Sequence, residues 1–448
     1  MKGKTGGGLP KSDESVLSAS TFNEPNWDES SIPGMLEGGN GTLFQGLVDQ
    51  NVAILLQYLR GIYARRLVLK QLGTQSTVSD WEDDPQIGVS IIEEAREVVH
   101  MPTFDLRVAV NGVDSTLVEI PSKVEAQLRR YVTSIGSAYR QDNAFHTFEH
   151  ASHVVRCLDQ MIKKMTSTAE VMVTGFDGKP RSMGDIAKEV DKKTFGIGSD
   201  PLVQFSMILA ALVHDVDHMG VSNQQLIKES SPIASLYKNR CVSEQNAVDI
   251  SWWLLMTSEY EELRLAIYTN TSEMRRFRQC LVNCVIATDI LDRNMKDHRD
   301  YSWNKAFVRK TTFMDVEEKR DIQSTVMMEF LMQAADSAHC LQSFRSYTKW
   351  NELLFEEMYQ AYHAGRADAD PFTQWYKAEA AYFDKFMIPL LSRLKDSGIF
   401  GGYGEVYVKN AIENRDAWKA RGQTIVREMV EGFSRRVVAA QEDTISFT

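Results

Sequence analysis

With 448 residues and a net charge of −11, the chain is long enough to bury a large core and to hold two or three domains, and too acidic to bind nucleic acid by charge alone. No apolar run approaches the roughly 20 residues of a membrane-spanning helix, and the glycine-rich start has no apolar signal region. Five scattered cysteines without a CxxC pair indicate a reducing compartment, so a cytoplasmic protein is expected, either free or associated with a membrane signalling complex.

Residues 1–40 are rich in Gly, Ser, Pro and acids, and such a tail buries too little apolar surface to order itself. Phe44, Val48, Val52, Leu55, Leu59 and Ile62 then recur at helical spacing, which predicts a long helix within 41–73. That helix either packs on the following domain or pairs with a second copy, giving a homodimer through residues 44–72. A linker and small subregion fill 74–121: an acidic stretch from Thr74 to Pro85, helical spacing from Ile87 to Val99, and a short β element within Met101 to Glu119. From Ser122 the helical pattern runs almost unbroken to Arg436, before a tail at 437–448. It is interrupted by a turn-rich insertion at 174–180 and again at 364–371. Strand-like alternation is scarce, so the fold class is all-α, a compact multi-helix bundle over 122–436. Cys280 and Cys284 sit among Leu281, Val282, Val285 and Ile286 and read as core packing.

The chemistry concentrates in two stretches that hold five of the nine histidines. Met207 to Val213 is an apolar core-helix run that ends in His214, Asp215, Val216, Asp217 and His218. Burying those ionisable groups costs several kcal/mol unless they are paired or metal-bound, roughly the scale for unpaired buried charge. His214 and His218, four apart, are expected to share a helix face. Upstream lie His146, His150 and His153. Asp336 ends another apolar segment, where a buried acid calls for a cation. Taken alone, Glu244 and Asp289 read as surface or structural acids. The set His150, His214, Asp215 and Asp336, two imidazoles and two carboxylates, suits Zn²⁺ with positions left for water. If Asp215 bridges, a harder Mg²⁺ or Mn²⁺ can sit beside it, and two metals about 4 Å apart suit phosphate-ester hydrolysis. His146, one helical turn before His150, is placed to protonate the leaving oxygen.

These motifs resemble the catalytic domain of class I cyclic nucleotide phosphodiesterases of the HD superfamily, over about Ser122 to Lys395. Phe145 to Ala151 is similar to the family's aromatic-His-Asn-x-x-His-Ala segment, and His214 to Asn223 to its His-Asp-x-Asp-His-x-Gly-x-x-Asn segment. Thr288-Asp289, Ala335-Asp336, Trp350, Glu357 and Tyr382 to Leu390 follow in family order. The resemblance implies Zn²⁺ on His150, His214, Asp215 and Asp336, with Asp215 bridging to Mg²⁺. It implies His218, Glu244, Thr288 and Asp289 around the metal-bound water, and His146 as general acid oriented by Glu357. The purine would lie between Tyr382 and Leu354. The implied reaction is hydrolysis of a 3′,5′-cyclic nucleotide to the 5′-monophosphate.

The pattern is broken in four places. Thr147 stands for an Asn. Glu244-Gln245-Asn246-Ala247 stands for Glu-Asn-His-His, which predicts weaker or altered binding of the second metal. His339 replaces an Asn and either contacts the base or packs. Glu379 replaces the purine-reading Gln. Ionised, it only accepts, which suits the N1–H and N2–H₂ of guanine; protonated, it could donate to adenine N1 and accept from N6–H₂; or it faces solvent and reads nothing. Two other functions compete: a cyclic-nucleotide-binding signalling protein without turnover, motivated by Thr147 and Ala247, and an HD-type phosphohydrolase of nucleoside triphosphates, against which the segment around Tyr382 speaks. Residues 1–120 are too short and too poorly patterned for a typical regulatory ligand domain.

Overall fold

The computed structural model describes residues 40–73, 90–174, 182–309 and 314–446; the expected N-terminal tail, the acidic linker and most of the turn-rich insertion lie outside them. Among the described residues there is no strand. The helices in order are α1 (Asn40–Gln71), α2 (Ile91–Glu94), α3 (Leu106–Val110), α4 (Ser122–Ala138), α5 (Phe148–Thr174), α6 (Met183–Lys193), α7 (Pro201–Val213), α8 (Asn223–Lys228) and α9 (Pro232–Leu236). They continue as α10 (Val242–Met256), α11 (Glu261–Ile267), α12 (Thr271–Ala287), α13 (Arg293–Trp303), α14 (Val316–Asp336), α15 (Phe344–His363), α16 (Pro371–Tyr382), α17 (Ile388–Asp396) and α18 (Tyr403–Ser446).

The core is built around α7. Asp200 caps its first turn by accepting from Leu202 N at 3.0 Å, and Pro201 takes the first position, where a missing N–H costs nothing. From Leu202 to Val213 every side chain except Gln204 is buried. A helix apolar on all sides must be surrounded, and α1, α5 and α12 surround it.

Helix α1 lays Val48, Val52, Leu55, Leu59 and Ile62 into this core, so its apolar face is covered by its own chain. It also makes two buried polar contacts with α5: Asn51 Nδ2 donates to Ser152 Oγ at 2.7 Å, and Tyr58 OH donates to Asp159 Oδ1 at 2.8 Å. Gly136 in α4 permits the approach of Phe44 and Phe148, since a Cβ there would lie 2.9 Å from the Phe148 ring.

Three expectations are corrected. The segment 101–119 forms no strand. It forms α3 and a 3₁₀ turn at Ser115–Leu117, because Asp105 and Asp114 each accept from the N–H two residues on, and among the described residues there is no strand to pair with. Of the helical spacing expected from Ile87 to Val99, the described part, from Ser90 on, holds only the single turn of α2, started by a Ser90–Glu93 capping box. The last helix passes Arg436 and runs to Ser446, through most of the segment expected as a tail. No described helix is long and apolar enough to cross a membrane.

Candidate active site

Helix ends supply the site. Helix α7 stops at Val213, and His214 to His218 form a turn closed by Val216 N to Val213 O (3.1 Å) and His218 N to Asp215 O (3.0 Å). Asp217 breaks the helix with φ +60°. Its carboxylate accepts from Arg140 Nε at 2.9 Å and from Asn246 Nδ2 at 3.2 Å, which holds this sparsely populated backbone in place. The expectation that His214 and His218 share a helix face is therefore wrong. The turn sends them to two different clusters.

The first cluster gathers His150 from α5, His214 and Asp215 from the turn, and Asp336 from the end of α14. His150 Nε2 lies 3.0 Å from Asp336 Oδ1 and 3.8 Å from Asp215 Oδ2. His214 Nε2 lies 3.1 Å from Asp215 Oδ2 and 3.4 Å from Asp336 Oδ1. His214 Nδ1 donates to Ala211 O at 3.0 Å, which leaves the Nε2 lone pair facing the carboxylates without a hydrogen-bond partner. Lone pairs converging in a buried space require a cation between them. With bonds of about 2.0–2.2 Å to Zn²⁺, neighbouring ligand atoms stand about 3–3.5 Å apart, as most of these do. The residues fit a metal ion.

The second cluster is His146, His218 and Glu357. His146 precedes α5 and is not on it, which corrects the placement one helical turn before His150. Glu357 grips this segment at three points: Oε2 accepts from Phe145 N (2.8 Å) and His146 N (2.9 Å), and Oε1 binds His146 Nδ1. Burial alone would strip the proton from His146. The Glu357 carboxylate, with Asp215, outweighs it and pushes the imidazole up to about 9, while Glu357 falls to about 2. The His218 ring lies 3.7 Å from that of His146, and burial together with this neighbour lowers it to about 4. His146 therefore keeps a proton at neutral pH and His218 does not.

A cavity of about 480 Å³ opens on this second cluster and is also lined by Asn223, Glu244, Thr288, Asp289 and Leu354. Asn223 Nδ2 donates to Glu244 Oε2 (2.8 Å) and Asp289 Oδ2 (3.0 Å), so two acids that look unremarkable alone meet on one amide. Burial and the Asp289 charge push Glu244 up to about 8. At the altered positions, Thr147 Oγ1 accepts from His150 N at 3.2 Å and caps α5, Asn246 holds Asp217, and Ala247 is buried.

Tyr382, Glu379 and His339 do not line that cavity. Tyr382 shares a hydrogen bond of 2.5 Å with Ser337 Oγ, beside Asp336. Glu379 is half-buried and accepts from Tyr347 OH at 2.9 Å; burial pushes its carboxyl up to about 7, with the tyrosine hydroxyl pulling the other way. His339 is buried against the parallel Tyr347 ring, and burial lowers it to about 3. Sequence reasoning missed Asn143, whose Nδ2 donates to His146 O (3.1 Å) and His218 O (2.8 Å) and so ties the two histidine segments together. Gly220, at φ +67°, leaves room for it: a Cβ would come within 2.8 Å of Asn143 Oδ1. Tyr347 and Arg140 were missed too. Only the nearness of Arg140 and Asn143 to His146 in the chain could have suggested them.

A family model for the 3′5′-cyclic nucleotide phosphodiesterase matches residues 145–396. The chain is 25% identical over 333 residues to the cGMP-specific 3′,5′-cGMP phosphodiesterase 3 of Dictyostelium discoideum, a match covering 70% of this chain and 61% of that one. It is 24% identical over 236 residues to the mouse 3′,5′-cyclic-AMP phosphodiesterase 4C, covering 52% of this chain and 29% of the relative. The chain thus spans about three fifths or less of these relatives. Its fold is similar to the crystal structure of the phosphodiesterase domain of the Salpingoeca rosetta rhodopsin phosphodiesterase, with a TM-score of 0.50 and 19% identity, covering 80% of this chain and all of that domain.

Proposed function

We propose that this chain, which belongs to the 3′5′-cyclic nucleotide phosphodiesterase family, hydrolyses 3′,5′-cyclic nucleotides to 5′-monophosphates. The observation that carries this reading is the contact of His146 with Glu357 beside the cluster of His150, His214, Asp215 and Asp336. Those four residues would hold Zn²⁺, with Asp215 reaching towards a second ion, Mg²⁺ or Mn²⁺, whose surroundings include Glu244, Thr288 and Asp289. Bound ions there supply Lewis acidity that acidifies water and neutralises phosphoryl charge. The chain's own residues do the rest. Glu357 holds His146 Nδ1 and so points Nε2 at the leaving oxygen. The raised affinity of His146 for its proton keeps that proton available for transfer to O3′. Asn143 fixes the backbone of both histidine segments. Leu354, on the cavity wall, would offer an apolar surface to the base.

Base choice rests on Glu379 and His339. An ionised Glu379 favours guanine, since it accepts from N1–H and N2–H₂. The cGMP-specific name of the Dictyostelium relative agrees with that lean. The test is turnover of cyclic GMP and cyclic AMP by the purified full chain with Mg²⁺ or Mn²⁺ added, alongside zinc analysis. Turnover that disappears in His146→Ala supports the reading. Tight nucleotide binding without turnover, zinc being present, would make the chain a cyclic-nucleotide-binding protein instead.

A further inference from the structure

A second cavity, of about 290 Å³, lies between α1, α3 and α6, away from the residues of the active site. Its size is at the lower end of the about 300–1,000 Å³ typical of small-molecule sites. Phe104, Val108, Met183, Ile186 and Val190 supply an apolar wall. Of these, Met183 is 70% exposed on the surface. Helix α3 forms one side and has no buried residue of its own. It sits close on α6 because Gly184 leaves space, a Cβ there meeting Leu106 Cδ1 at 3.0 Å.

Among the charged residues of the lining, Arg65 stands apart. Asp105 is saturated by Arg107, accepting from its N (2.9 Å), Nε (3.1 Å) and Nη2 (2.7 Å). Asp191 accepts from Arg320 Nη2 at 2.7 Å and from Ser199 Oγ. Thr166 Oγ1 is used on Ile162 O at 3.0 Å. Arg65, on α1, donates only Nη1 to Ser199 O at 3.2 Å, and among the described residues no carboxylate lies within ion-pair distance of it. Two carboxylates also line the cavity, each paired with an arginine, and Arg65 is left as a lining cation without a carboxylate partner, its planar fork of donors in the same lining as the apolar wall. A guanidinium in that position selects an anionic head, and the wall selects an apolar body.

We propose that this cavity is a binding site for a small amphipathic carboxylate, its head on Arg65 and an acyl chain of about eight to ten carbons against Ile186 and Phe104, a size set by the pocket. Such a ligand would tie α1 to α6. The inference is independent of the reaction proposed above.

Titration calorimetry of the full chain with octanoate, octanol and octylammonium tests it. Octanoate should bind at one site at least tenfold more tightly than octanol, and octylammonium should bind more weakly than both. Arg65→Met, which keeps the aliphatic stem, should remove the advantage of octanoate and leave octanol unchanged. Arg65→Lys should retain it in part, and Ile186→Trp should fill the pocket and abolish both. Absence of saturable octanoate binding at millimolar concentration overturns the proposal, as do equal affinities for octanoate and octanol, or undiminished octanoate binding in a folded Arg65→Met chain.

Discussion

If Glu379 reads the base as proposed, base selectivity is a function of pH. Its carboxyl titrates near 7, because burial outweighs the hydrogen bond from Tyr347 OH. Group titration then takes the protonated fraction from about nine tenths at pH 6 to about one tenth at pH 8. The protonated form can donate to adenine N1, and the ionised form can only accept, as guanine requires. If each form read one base alone, the ratio of kcat/KM for cyclic GMP over cyclic AMP would rise about 100-fold between pH 6 and pH 8. A charge-assisted hydrogen bond discriminates by about 1.5–3 kcal/mol, so a rise of about tenfold or more is the realistic expectation. The assay is competition between the two nucleotides at fixed metal concentration, which cancels any pH effect common to both. Glu379→Gln should flatten the profile. Tyr347→Phe removes the hydroxyl that pulls the carboxyl down and should move the midpoint to higher pH. A ratio constant from pH 6 to pH 8 in the unaltered chain, or the same slope in Glu379→Gln, would refute the reasoning.

His146→Ala should lower kcat by about 10²–10⁴ with a small change in KM, as loss of a general acid does. Glu357→Gln should cost less, since the amide can still accept from Nδ1. Removing metal with a chelator should abolish turnover, and Zn²⁺ with Mg²⁺ should restore it; Asp336→Asn should show a reduced zinc content after desalting, and full retention of zinc would exclude Asp336 as a ligand. Leu55→Ala, at a fully buried position of α1, should destabilise the chain by about 2–5 kcal/mol in urea unfolding. A cost below about 0.5 kcal/mol, the level of ordinary surface substitutions, would mean that α1 is not part of the core in solution.

Much of the site is legible from the chain alone because its chemistry is local. His214 and Asp215 are adjacent, the apolar run before them has to be a buried helix, and acids at the end of such a run have to find a cation or a hydrogen-bonding partner. Helical periodicity likewise exposes the long elements, α1 and α5 among them. What local pattern cannot carry is the choice of partner. His214 and His218 look like one face of one helix, and they separate because Asp217 takes a left-handed conformation that Arg140, 77 residues away, holds in place. Glu244 and Asp289 become a pair only through Asn223, and Glu379 gains its raised proton affinity from burial, against the pull of the Tyr347 hydroxyl. A short β element was expected within 101–119, yet a strand needs a neighbour, and among the described residues there is no strand beside α3. The apolar stripe of α1 was compatible with a second copy or with its own domain, and in the structure it is buried against α7 of its own chain. Periodicity states which face of an element must be covered, whereas the covering surface is selected by long-range burial summed over the whole core.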